Sequence, residues 1–243
     1  PQENYGRELM ELHTLSVLGG YYESDVKEVS KCFTGWTLNG NPASANWLRA
    51  KYDPGLHTPG RKFLLGHVVP TGHPHASAEI LPGQREAQDV LDILGAHPST
   101  AKFLATKLIR WFLNPAPPVE LVERVAQTYL DTGGDIRAML RVILARENLA
   151  FSSPFHTPKF RRPYHLVTSL FRTFDGVVNN GTETLSYLTG MGQVPFDCAP
   201  PTGYPDGVDS WGPLLLPRWS FVAVLMRPFF GNYRGVSLMD INE

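Results

Sequence analysis

The sequence predicts a mainly α fold: antiparallel helices with long proline- and glycine-rich loops and at most a small β-hairpin. Three observations carry this. Apolar residues return at helical spacing in run after run. The 21 prolines and 22 glycines gather between those runs. From Gln84 to Leu144 the connections are short, which makes consecutive helices neighbours. With 243 residues the chain can bury a substantial core, and it reads as a single helical domain over 1–243.

The first helix runs from Glu3 to Leu15 and ends at Gly19-Gly20. On a 3.6-residue wheel Tyr5, Glu8, Leu12 and Leu15 share its apolar stripe, which places Glu8 on a buried face. Arg7 and Glu11 have i,i+4 ion-pair spacing, and His13 lies on the opposite flank. Ser24 is the expected cap of a second helix through Phe33, leading into Trp36. Residues 39–82 are dominated by turn chemistry, with Trp47–Tyr52 and Lys62–Val69 as extended pieces that can pair. Helices follow at 84–95, at 100–113 (capped by Ser99), at 119–130 and from Asp135 onward. After a basic link at 154–163 come helices at 164–174 and 182–191, then a long loop, 192–215, with Tyr204, Asp206 and Trp211. A last helix, 216–229, is apolar on most sides and should be buried; an extended tail follows. The two long loops are expected to converge near the opening helix.

Composition narrows the function classes. Net charge is -1 and the isoelectric point is near 6.8, so no global electrostatic pull toward nucleic acid or an anionic membrane is expected, and the interspersed acids and bases argue against nucleic-acid binding. No stretch approaches the roughly 18 apolar residues of a membrane span. No nucleophile elbow, P-loop, dinucleotide-binding or paired-histidine zincin motif occurs. Cys32, within a helix beside Phe33, reads as a buried small residue, while arithmetic leaves its pairing with Cys198 open. The loop histidines His57, His67, His73 and His75 lack the regular partner spacing of a zinc site.

The opening Glu3-Asn-Tyr-Gly-Arg-Glu-Leu-Met-Glu-Leu-His-Thr-Leu15 resembles the signature segment of DUF1800, a bacterial domain of unknown function. The resemblance recurs at Phe33-Thr-Gly-Trp36, at His97-Pro-Ser-Thr-Ala101, at Gly133-Gly-Asp-Ile-Arg-Ala-Met-Leu140, at Pro200-Pro-Thr-Gly-Tyr-Pro-Asp206 and at Arg218-Trp219. Gly6 stands where the family usually has Ala, and Ser16 where it usually has Gly. Members run to roughly twice this length, so the resemblance implies the C-terminal half, a fragment or processed part of a longer protein whose N-terminal half is missing. It also implies export, and so a periplasmic or extracellular setting. It implies no established activity.

The residues leave two readings open. Glu8, Glu11, His13 and Arg7 are the candidate catalytic group, with Trp36, Tyr204, Asp206 and Trp211 as candidate substrate-binding residues. Paired carboxylates between aromatic platforms suit glycan hydrolysis. Carboxylates with imidazole suit a divalent metal that activates water. This is the hydrolase reading, with an envelope or extracellular polymer as substrate. In the other, the same polar side chains lock loops to helix in a non-catalytic binding or assembly module of the envelope.

Overall fold

A computed structural model describes residues 2–70, 81–150, 152–155, 157, 159–226 and 239–241. The fold is mainly α, and the chain divides into two compact units, Pro1–His156 and Thr157–Glu243.

The first unit opens with α1 (Glu3–Glu8), which continues into a π-helical turn, Leu9–Thr14. Helix α2 (Glu23–Cys32) begins one residue before the expected cap, because the Asp25 carboxylate folds back to accept the Tyr22 N–H at 2.8 Å. Two small antiparallel sheets follow. Strand β1 (Trp36–Leu38) pairs with β2 (Ala50–Tyr52), and β3 (Lys62–Leu64) with β4 (His67–Val69). The two extended pieces therefore do not pair with each other. The piece Lys62–Val69 folds back on itself as a tight hairpin, while Trp47–Tyr52 pairs with the strand that leaves α2. Helices α3 (Pro82–Gly95), α4 (Pro98–Phe112), α5 (Val119–Asp131), α6 (Ile136–Ile143) and the short α7 (Arg146–Leu149) complete the unit. The cap of α4 is His97, whose Nδ1 accepts the Ser99 N–H at 3.1 Å; Ser99 itself is not the cap.

Two apolar clusters hold this unit. Met10, Leu15, Val26, Val29, Leu64 and Val90 join the opening helix, α2, α3 and the second sheet. Ala105, Ile109, Leu121, Val125, Met139 and Ile143 join α4, α5 and α6.

The second unit contains α8 (Pro163–Thr173), β5 (Gly176–Val178), α9 (Gly181–Gly190), α10 (Val208–Trp211), α11 (Leu215–Met226) and β6 (Met239–Ile241), which pairs antiparallel with β5. Phe171, Leu188, Met191, Phe221 and Leu225 form its core. Helix α11 is only half buried, since Leu216 and Trp219 are well exposed on its outer face. Its apolar content alone pointed to burial all round; the side carrying Arg218, Phe221 and Leu225 is the one that packs.

Candidate functional site

The opening helix buries a different stripe from the one its apolar residues suggest. Gly6, Met10 and Leu15 face inward, while Glu8 and His13 are exposed. Two causes act together. Gly6 has no side chain for a hydrophobicity pattern to register, yet it is the contact point with α2. A Cβ there would lie 2.7 Å from Ser30 Oγ and 2.8 Å from the Val26 carbonyl oxygen. The π-turn then inserts an extra residue, with the Leu15 N–H donating to the Met10 carbonyl at 2.7 Å, so the next inward position falls five residues on.

Arg7 does not pair with Glu11. Its Nη2 donates to both oxygens of Glu23, at 2.7 and 2.8 Å, and this pairing raises the Arg7 pKa and lowers that of Glu23. Both are largely in water, so the pair contributes little to stability. Glu11 accepts from the Tyr21 hydroxyl at 3.4 Å; the phenol pKa is raised by burial first and by Glu11 second. Arg7, Glu11, Tyr21 and Glu23 therefore form one surface polar patch. Glu8 and His13 stand outside it.

The Phe33-Thr-Gly-Trp36 motif builds a cleft instead. Gly35 turns the chain out of α2 in a left-handed conformation (φ 92°), and a Cβ there would sit 2.6 Å from the Tyr52 ring, so glycine is required. The turn brings Trp36 opposite Tyr52 across the first sheet, rings edge to face at 5.6 Å. Tyr5 packs on Phe33 at 5.0 Å. Gln84, Ala87, Gln88 and Leu91, one face of α3, close the far wall. The cleft holds about 670 Å³, and Trp36, 43% exposed, stands on its wall.

Beneath it lies a network that the sequence reading missed. Lys62 is 1% exposed and Glu86 3%. The Lys62 ammonium donates to Glu86 Oε2 at 2.5 Å and to the Thr58 carbonyl at 2.6 Å, and its Nζ lies 3.3 Å from His57 Nε2. His57 Nδ1 is 2.9 Å from the Thr34 carbonyl. With its proton on Nδ1, donating to the Thr34 carbonyl, His57 accepts the third ammonium proton at Nε2, which also lies 3.2 Å from Glu86 Oε2. Thr34 lines the cleft, so the network braces its floor. A signal was present: Glu86 falls four residues before buried Val90 on α3, and Lys62 alternates with buried Leu64 on β3. Cys32 is fully buried, and burial, with Glu86 next, pushes its thiol pKa up to about 12, which makes it inert. Both cysteines are free thiols.

In the second unit Tyr204, Asp206 and Trp211 do come together. Their rings or carboxylate are tied locally: Tyr204 donates to the Val194 carbonyl, the Trp211 indole to the Pro205 carbonyl, both at 2.9 Å, and Asp206 lies 3.6 Å from Arg162. Trp211 is buried. Among the described residues no three His, Cys, Asp or Glu side chains are grouped to hold a metal ion, and His73 and His75 lie outside those residues.

The model of DUF1800, a protein family of unknown function, matches residues 1–241. The chain belongs to the DUF1800 family. Comparison with curated proteins and with solved structures finds no match for this DUF1800 chain. The family motif Phe33-Thr-Gly-Trp36 is thus the turn that shapes the cleft, and the motif His97-Pro-Ser-Thr is the cap and first turn of α4.

Proposed function

We propose that the cleft of the first unit binds a neutral, hydroxyl-rich ligand, a segment of an envelope or extracellular polymer such as a glycan, without cleaving it. The observation that carries this is the chemistry of the wall. Tyr5, Phe33 and Trp36 offer aromatic surface, Gln84 and Gln88 offer amides, and among the described residues none that lines the cleft is charged. Apolar faces with a few convergent neutral polar groups suit a sugar ring, whose C–H faces stack and whose hydroxyls bond to amides. The nearby acid, Glu86, is already engaged by Lys62. The export expected of the family makes a periplasmic or extracellular polymer the natural ligand.

A hydrolase acting on the same polymer is the second reading. It needs paired acids or a metal-activated water on the wall, and the described residues that line this cleft provide no carboxylate.

The test is titration with a panel of neutral oligosaccharides, followed by tryptophan fluorescence and calorimetry, with product release measured in parallel. Trp36→Ala should weaken binding by about 1–3 kcal/mol, roughly five- to 150-fold, while Glu8→Gln binds as the parent does. Turnover of any panel member that disappears in a folded Glu8→Gln or Glu11→Gln variant would overturn the binding-only reading.

A further inference from the structure

A second concavity lies on another face of the same unit and shares no lining residue with the cleft. It holds about 350 Å³ between the end of the opening helix and α4. Among the described residues that line it, Lys102, Lys107 and Arg110, all from α4, are cations and none is acidic. The whole of α4, Pro98–Phe112, contains no Asp or Glu. In a chain of net charge -1 this is a local concentration of positive charge.

The facing loop is apolar and pushed outward. Ser16 adopts a left-handed conformation (φ 70°), a region that favours glycine. The chain then turns tightly at Gly19, where a Cβ would lie 2.5 Å from the Leu15 carbonyl oxygen. The Gly19 carbonyl accepts the Ser99 hydroxyl at 3.1 Å, which pins the base of the loop to the start of α4. The consequence is a fixed tip with Val17 68% exposed and Leu18 93% exposed, Leu18 forming the lip of the cationic groove.

Exposed aliphatic side chains beside a cationic helix face suit an anionic bilayer surface, with the aliphatics among the acyl chains and the cations at the phosphates. We propose that this loop and α4 dock the protein peripherally on a membrane rich in anionic phospholipid, Leu18 inserting and Lys102 and Lys107 meeting headgroup phosphates. The arrangement is a surface contact: among the described residues no helix is long and apolar enough to cross a membrane. Opposite charge on the bilayer is the complement that selects this occupant.

The experiment is flotation of the full chain with vesicles of equimolar phosphatidylglycerol and phosphatidylcholine, against vesicles of phosphatidylcholine alone. The parent should float with the anionic vesicles only, and less at high salt, where Coulomb attraction is screened. Each surface cation contributes about fivefold to such partitioning, so Lys102→Gln with Lys107→Gln should reduce it about twenty- to thirtyfold. Leu18→Ser should also reduce it, with charge unchanged. Equal partitioning of parent and variants, or flotation with the neutral vesicles to the same extent, would overturn the proposal. Displacement by inorganic phosphate beyond that by chloride at equal ionic strength would overturn the lipid assignment in favour of a soluble oxyanion.

Discussion

Lys62 and Arg218 are both cations removed from water, one in each unit, and they are accommodated in opposite ways. Lys62 has three acceptors for its three protons, one of them the carboxylate of Glu86. Arg218, 6% exposed, donates Nη1 to the Arg161 carbonyl at 2.7 Å and lies over the Phe160 ring at 4.5 Å. Its Nε and Nη2 have no hydrogen-bond partner among the described residues, and burial lowers its pKa. The difference teaches what each charge is for. A fully matched ammonium fixes geometry, joining the loop at Thr58, α3 and the end of α2 into one floor beneath the cleft. A guanidinium held by one carbonyl and a ring serves as a long, flat packing element whose charge is tolerated.

Removing the counter-charge is the strongest way to break this contrast. Glu86→Gln strands the Lys62 ammonium in a buried site and should cost about 3–5 kcal/mol in chemical denaturation. Adding Lys62→Met to Glu86→Leu should restore most of that loss, because the double variant leaves no unpaired charge. Next in size, Arg218→Met keeps the packed stem and deletes the charge, so stability should change by less than about 1 kcal/mol. A loss as large as that of Glu86→Gln would show Arg218 to be balanced as fully as Lys62, and the comparison would fail.

The smallest expected effect approaches the first unit from the other side, by adding a charge. Capping of α4 needs a lone pair on His97 Nδ1, and burial, with His67 second, holds the His97 pKa below its ordinary value. The folded value lies under the unfolded one, so the neutral form belongs to the fold. Stability is complete above about pH 6.5 and declines as pH falls through that value. His165 in the second unit is lowered too, by burial and then by Arg162, so it shares the same acid limb. His97→Asn retains a capping acceptor. It should flatten only part of the limb in thermal melts from pH 7.5 to pH 5, roughly the span of histidine titration.

Helices α3 to α6 were readable because their apolar residues are large, regular and bounded by Pro, Gly or Asp. The cleft was partly readable: Trp36 and Phe33 stood out as an aromatic exit from α2. Its far wall was not, because Gln84 and Gln88 look like ordinary solvent-facing positions until a partner surface stands opposite them. The opening helix misled for a different reason. Its inward face is set by Gly6, which has no side chain to mark it as apolar, and by a π-turn, which no constant-pitch wheel contains. A constant-pitch wheel thus buries Glu8, a carboxylate that faces water. Glu86 and Lys62 sat in buried periodicities 24 residues apart, and long-range pairing of that kind is what local patterns do not carry.

The π-turn Leu9–Thr14 gives the family's signature segment a property beyond the identity of its residues. Because one extra residue is looped into the backbone there, the segment measures length. Deleting a single residue from it would let an ordinary α-helix form with Leu15 four residues after Met10 and still facing inward. Forcing the full-length segment into an ordinary α-helix would instead turn Leu15 and the Ser16–Gly19 tip by about 100° around the axis, withdrawing Leu15 from the core and Leu18 from α4 in a single step.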